Sequence, residues 1–380
     1  MFYAVVGNNY GDEGKGLAVD YLTLKGHNLV VRHNGGAQAA HTVDREDKRF
    51  VFHEISSGSF NGSDTYWSGT FLPDLYKLEE EIESFAGMSG ISVKIYASPD
   101  ANATLLYDVF LNQKKEEARG KDKHGSCGMG IWEAVKRSER GYSLTLGDIS
   151  SMAAENIASR LDEIENDYLS PILSSKGIPD TLELDTLRYA EILKNVLGKY
   201  VTLTDDEAGL FKSYDNVIFE GGQGLLLVTD RKDLWPHTKC SRTNIANPVN
   251  ILNSHGLKLD EAVYVTRSYL TRHGAGPFTE DPDLHFIDET NIPNPWQDSI
   301  RFGRHDSAYS LAVRAAEDSR TYGVKASLFV THLNETSDKI LTEEGDVGLS
   351  DLSRIALDAE IDKIYVSRSR FAEDISVMEL

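Results

Sequence analysis

Cysteine is almost absent: Cys127 and Cys240 are the only two in 380 residues. That excludes a disulfide framework or a thiolate zinc cluster and points to a reducing cytoplasm. Positive charge is also scarce. Lys and Arg number 39 against 60 Asp and Glu, a formal net charge of -21 with a pI near 4.9. Such a surface repels a nucleic-acid backbone and an anionic membrane, so neither is expected as a partner. No apolar run approaches the ~20 residues a membrane helix requires. The chain opens directly on strand formers, which leaves no room for a signal peptide. No internal repeat is present. With 40% hydrophobic residues, the chain has enough apolar material for a large core.

What the chain does have is concentrated in its first forty residues. Phe2 to Val6 is a short apolar run, Gly7 to Gly16 a glycine-rich turn, and Leu17 to Leu22 helical in pattern. A strand, a glycine turn and a helix N-terminus in that order gather backbone N–H groups around an anion. Gly11, Gly14 and Gly16 let the backbone approach phosphate oxygens, and Lys15 adds a point charge. The turn is not a Walker A loop. Asn9 stands where its first glycine is required, and Gly16 where Ser or Thr should follow the lysine. The carboxylate pair Asp12-Glu13 would repel phosphate unless it holds a metal or acts as a base. A second strand, Asn28 to Arg32, leads into a polar, glycine-broken loop from His33 to Thr42. His41 on that loop and Asp12 on the first form a candidate acid/base pair.

Together, Gly-Asp-Glu-Gly-Lys-Gly at 11–16 and Val-Arg-x-x-Gly-Gly-x-x-Ala-x-His-Thr at 31–42 resemble the adenylosuccinate synthetase family. The resemblance implies that Asp12 is the catalytic base and, with the backbone carbonyl of Ala40, a magnesium ligand. It makes His41 the general acid, counts Lys15 with them as catalytic, and gives Asn9, Gly11, Glu13, Gly14 and Gly16 to nucleotide and phosphate. Gln38 and Ala40 depart from the family's usual Asn and Gly.

The likeness continues along the chain. Gly125-Ser126-Cys127-Gly128-Met129-Gly130-Ile131 is similar to the family's Gly-Thr-Thr-Gly-x-Gly-Ile phosphate loop, with Gly125 and Ser126 as the contributors. Arg140 corresponds to an arginine that reaches the phosphate across a dimer interface. Phe219-Glu220-Gly221-Gly222-Gln223-Gly224 resembles the Phe-Glu-Gly-x-Gln-Gly loop, which implies that Gly222 and Gln223 meet the nucleotide, Gln223 near the reacting centre. Thr238 and Thr243 fall in the family's Thr/Ser-rich segment. Thr271-Arg272-His273-Gly274-Ala275-Gly276-Pro277-Phe278 reproduces Thr-Arg-x-Gly-Ala-Gly-Pro-Phe, and Arg272 is assigned to the nucleotide. Asn294 to Gly303 replaces the aspartate-clamping loop and leaves Ser299 and Arg301 for the amino acid. A planar guanidinium is what a dicarboxylate needs. Thr331-His332-Leu333-Asn334 stands where the family has Thr-Lys-Leu-Asp, a donor-base pocket that Ser367 helps close. Asn334 offers one acceptor where that Asp offers two, which favours adenine over guanine.

Between these motifs, Arg49 to Ile55 and Ile91 to Tyr96 read as strands. Leu72 to Phe85 reads as a helix with a solvated acidic face at Glu79, Glu80, Glu81 and Glu83. Asn112 to Lys123 reads as a helix end running into a mobile loop, and 150–213 as mostly helical. Further strands are expected at 216–219, 262–270, 327–331 and 363–366.

The implied fold is α/β. It is a single domain over 1–380, with a large, mainly parallel twisted sheet, P-loop-NTPase-like, with surrounding helices and a helical insertion at about 100–213. The implied reaction joins L-aspartate to C6 of a 6-oxopurine nucleoside monophosphate through a 6-phosphoryl intermediate, with Mg2+, in a homodimer. The departures in the aspartate and base loops resemble the divergent, largely viral branch of the family, which acts on dGMP with ATP or dATP; a viral chain would work in the host cytoplasm. Adenylosuccinate synthesis from IMP and GTP stays open, as does an inactive nucleotide-binding homologue.

Overall fold

The computed structural model describes residues 1–120, 126–179, 182–228, 241–291 and 299–380. The first unit is β1 (Phe2–Gly7), α1 (Lys15–Leu22) and β2 (Asn28–Arg32). Next come a hairpin, β3 (His41–Arg45) and β4 (Lys48–Phe52), then β5 (Asp64–Trp67), α2 (Leu75–Ser89) and β6 (Ile95–Ala97). A helical stretch follows: α3 (Leu106–Arg119), α4 (Ile131–Glu139), α5 (Leu146–Ser151), α6 (Ala154–Glu163), α7 (Ser170–Ser175) and α8 (Thr186–Tyr200). The chain then runs through β7 (Val201–Leu203), α9 (Glu207–Lys212), β8 (Asn216–Gly224), α10 (Ala246–Ser254) and β9 (Glu261–Arg267). A second hairpin, β10 (Leu270–His273) and β11 (Ile300–Gly303), precedes α11 (Ala308–Tyr322) and β12 (Lys325–Thr331). The short pair β13 (Lys339–Ile340) and β14 (Val347–Gly348), then α12 (Leu349–Asp358), β15 (Lys363–Val366) and β16 (Ser376–Glu379), complete it.

Ten strands form one sheet in the order β16-β15-β12-β9-β1-β8-β2-β5-β6-β7, parallel throughout except for β16. The α/β expectation of a large, mainly parallel sheet holds. Central strands are buried on both faces, which is why they read as continuous apolar runs rather than alternating ones. Ala4 and Val6 enter one core beside Tyr264 and Leu328, while Val5 enters the other beside Val19, Ile218 and Val263. A third core lies among α2, α3, α6 and α8 and the strands they cover, around Trp67, Phe71, Phe85 and Leu193.

Three local readings need correction. Glu81 does not join the solvated acidic face of α2; its carboxylate turns inward and accepts the backbone N–H groups of His53, Glu54 and Ile55. The strand read over 262–270 splits, because Arg267 ends β9 and Leu270 leaves the sheet to pair with β11. The segment at 300–303 is therefore strand, not loop. Of the stretch Asn112 to Lys123 read as a helix end running into a loop, α3 reaches Arg119, and residues 121–123 lie outside the described residues.

Candidate active site

β1 lies between β8 and β9, and the chain departs to opposite sides of it, so a crevice opens beyond its carboxyl end. A cavity of about 610 Å³ fills that crevice. Its walls bring together Gly11, Asp12, Glu13, Gly14, Lys15, Gly16, Ala40, His41, Gln223, Thr331, His332 and Asn334, twelve of the residues singled out from sequence.

The loop after β1 is tightly seated. A Cβ on Gly7 would lie 2.1 Å from Glu13 Oε2 and 2.5 Å from Gln223 O, so only glycine lets the loop and β8 close on each other. Gly14 caps α1 in the left-handed region (φ 96°), packed against Thr331. Beneath the loop, Asn9 donates to Thr266 Oγ1 at 3.0 Å. The carboxylate pair of this loop divides. Glu13 turns inward, accepting the Asn9 N–H at 2.5 Å, while its Oε2 finds no donor. Burial pushes its carboxyl up to about 7 against the pull of Lys15. Asp12, with φ 59°, projects its side chain to the cavity, 4.0 Å from His273 Nδ1. Of the two adjacent carboxylates, Glu13 is thus the buried one and still feels the charge of Asp12.

Gln223 reaches the same place through a bulge. Val5 pairs with Glu220 and Gly7 with Gly224, so β8 spends two extra residues there and holds Gln223 at φ 68° over Gly11. Opposite, His41 opens β3, with its imidazole Nδ1 2.6 Å from Glu220 Oε1. Burial lowers His41 to about 4, although Glu220 opposes this. Burial alone would raise the Glu220 carboxyl; Arg32, His41 and Ser57 outweigh it and hold it at about 2.

At the other end of the cavity, Thr331 Oγ1 donates to Glu13 O at 2.9 Å and His332, at φ 61°, turns over it. Asn334 is exposed on the wall and Ser367 is buried behind it, donating to Ser369 O at 2.7 Å. Arg267 ties this end to the phosphate loop. Its Nε donates to the Asp12 carbonyl at 2.6 Å and its Nη2 to Asp288 at 2.8 Å. Tyr269 donates to Glu335 at 2.5 Å and stacks on Phe286 at 3.9 Å. Five Lys and Arg among the lining residues meet six Asp and Glu. Arg49 is bound to Asp44 and Glu289.

The other sequence candidates lie apart from this cavity. Gly222 N–H donates to Asn34 Oδ1 at 2.8 Å, and Thr243 donates to Gly224 O at 2.8 Å; both support the bulge from behind. Arg272 and Arg301 pair across β10 and β11, with Ser299 exposed at the entry to β11. Arg272 lies over the ring of Tyr10 on the phosphate loop (4.5 Å), and Arg301 over Phe278 (5.1 Å). Ser126 accepts from Asn112 at 2.8 Å, and Arg140 lies over Tyr168. Gly125 and Thr238 fall outside the described residues.

Asp12 and Ala40, the residues expected to hold magnesium through a carboxylate and a backbone carbonyl, both line the cavity. Mg2+ takes few protein ligands and completes its shell with phosphate oxygens and water. Among the described residues no group of three or more acidic, His or Cys side chains could hold a metal ion. Sequence reading passed over Glu220, Ser57, Arg32, Arg267 and Asp288. The one signal for them was an acid and two arginines ending otherwise apolar strands.

A family model described as adenylosuccinate synthetase matches residues 4–292. An adenylosuccinate synthetase of Pseudomonas paraeruginosa is 32% identical over 288 residues, 72% of this chain and 64% of its own length. That of Chromohalobacter salexigens is 32% identical over 281 residues, 72% of this chain and 63% of its own. The match thus spans a little under two thirds of the curated relatives. Among solved structures, the fully ligated adenylosuccinate synthetase from Plasmodium falciparum superposes with a TM-score of 0.75 at 19% identity, over 99% of both chains. The cyanophage S-2L succinoaminodeoxyadenylate synthetase, bound to dGMP and dATP, gives 0.61 at 17%, over 99% of this chain and 94% of that one. No described helix is long and apolar enough to cross a membrane.

Proposed function

The chain belongs to the adenylosuccinate synthetase family, and from that premise we propose that it ligates L-aspartate to C6 of a 6-oxopurine nucleoside monophosphate, driven by a nucleoside triphosphate. The observation that supports this is that Asp12, Lys15, His41 and Gln223 all line one cavity. The Asp12 carboxylate takes the N1 proton of the purine, which makes O6 nucleophilic toward the γ-phosphorus. Lys15 and the backbone N–H groups at the start of α1 hold the donor's phosphates in line. His41 meets the charge that develops on the departing diphosphate. The amine of aspartate, its carboxylates held by Arg301 beside Arg272, then displaces the 6-phosphoryl group. The Asp12 carboxylate and the Ala40 carbonyl would hold a magnesium ion, which would supply neutralisation of phosphate charge there.

For substrates the favoured set is dGMP with ATP or dATP, giving 2-amino-2'-deoxy-N6-succinyladenylate, ADP (or dADP) and phosphate. Asn334, exposed on the cavity wall, supports the donor; the likeness of the aspartate and base loops to the viral branch supports the acceptor. A homodimer accords with Arg140, which lies off this cavity within one chain and would serve a partner's phosphate site. IMP with GTP is the rival set. The test is a panel of IMP, GMP and dGMP against GTP, ATP and dATP, with aspartate and magnesium, the succinylated product read by mass. The expected product comes from dGMP with an adenine donor. Product from IMP with GTP alone would select the rival, and no product from any pair would overturn the ligase reading.

A further inference from the structure

His41 lies in the cavity wall, but one of its two ring nitrogens is already spoken for. Nδ1 is 2.6 Å from Glu220 Oε1, a residue 179 positions away in the chain. The Glu220 side chain is fully buried and does not reach the cavity surface. Its remaining contacts fix the carboxylate rather than share it. Ser57 donates to Oε1 through Oγ and to Oε2 through its backbone N–H at 3.3 Å, and Arg32 Nη1 lies 3.3 Å from Oε2. Arg32, on β2, is itself buried and lies over the ring of Phe71 at 5.3 Å. Gly16 closes on the base of the imidazole: a Cβ there would stand 3.2 Å from His41 Cβ. The ring is thus held at its stem and at one nitrogen, and the other nitrogen is left for a ligand.

We propose that Glu220 is the positioning residue for His41: its carboxylate accepts the Nδ1–H hydrogen bond and thereby commits Nε2 to the cavity. The inference rests on the proposed role of His41. An acid on the far nitrogen fixes both the tautomer and the plane of a working imidazole. Arg32 and Ser57 keep that acid from rotating toward any other donor. The acid stands at the last regular position of β8 before the bulge that presents Gln223, so one strand sets two groups of the site.

The test combines a spectrum with kinetics on the full chain. Long-range proton–nitrogen correlation of 15N-histidine protein at about pH 8, with His41 assigned by the signal lost in His41→Asn, reads the tautomer. The parent is expected as the Nδ1–H form. In Glu220→Gln the tautomer should become mixed or reversed, and kcat should fall about 10–100-fold with KM for nucleotides and aspartate nearly unchanged. Glu220→Asp should retain the Nδ1–H form with a smaller loss. A parent His41 in the Nε2–H form overturns the proposal without any variant, which covers the case that Glu220→Gln does not fold. An unchanged tautomer and kcat in Glu220→Gln, with only the melting temperature lowered, overturns it as well. A chain that turns over no substrate pair yet shows the Glu220-dependent tautomer upholds the positioning and sinks the catalytic role of His41.

Discussion

Arg272 and Arg301 stand directly opposite one another across an antiparallel pair, two guanidiniums in register, with Glu280 Oε1 3.7 Å from Arg301 Nη1. Burial, and then the charge of Arg301, lower the pKa of Arg272. Arg301 donates to the carbonyls of Gly274 at 2.6 Å and Gly276 at 3.1 Å, so the loop that follows β10 holds it in place. Like charges brought together suit a dianionic guest. Arg301→Leu is expected to raise the aspartate KM at least ~10-fold and leave the nucleotide KM nearly unchanged. Equal rises for both substrates, measured by initial rates, would move Arg301 to a structural role.

Asp12→Ala and His41→Ala should each lower turnover by at least ~10²-fold, as loss of an acid or base does. Binding of the triphosphate, followed by calorimetry, should stay within a few-fold, because the backbone N–H groups of the loop and Lys15 remain. Parent-like turnover in either variant would remove that residue from the chemistry.

Asn334→Asp should move donor preference from ATP toward GTP. The carboxylate restores two acceptors for the guanine N1–H and N2–H; at an exposed residue such as Asn334 the expected gain is that of an ordinary hydrogen bond, roughly 0.5–1.5 kcal/mol or ~2–12-fold. His332 stands in place of a lysine, so the shift need not be complete. If the parent uses GTP as well as ATP and the variant does the same, the base is chosen by backbone groups instead.

Glu54 gives a stability prediction independent of catalysis. It is fully buried; Oε1 accepts the Asp74 N–H at 3.1 Å and Oε2 has no donor. Burial, then Glu81 and Asp74, push its pKa well above 4.5, and burial raises Asp74 to about 6. A carboxyl raised on folding contributes stability that is present below its unfolded pKa and lost as pH rises through the folded one. Glu54→Gln, which cannot ionise, should therefore raise the thermal midpoint at pH 8 and change it little at pH 4. Scanning calorimetry at both values decides; a gain at pH 4 equal to that at pH 8 would refute the ionisation argument.

How much of this was legible beforehand depends on the range of the contact. Gly-Asp-Glu-Gly-Lys-Gly could be read because its chemistry is local: a strand, a turn and a helix start within fifteen residues. The α/β class followed from apolar runs such as Val5-Val6 and Leu29-Val30-Val31, each ending in glycine or polar residues. What escaped was set by distant partners. Nothing near position 13 says that Glu13 turns inward while Asp12 turns out; the contact of Gly7 with β8 decides it. Glu81 sits in an acidic helical run, and only the backbone of residues 53–55 draws it under. Arg267 reads as the end of a strand, yet it meets Asp12 across 255 positions and Asp288 across 21.

Three cavity residues, Asp12, Gln223 and His332, are held at positive φ although each carries a side chain. Backbone of that kind costs of the order of 1–3 kcal/mol per residue. A screen for heat resistance alone would thus be drawn to glycine at these positions, and each gain would remove a side chain from the cavity wall. Any programme to harden this protein should freeze those three codons and seek its gains elsewhere, for example at Glu54.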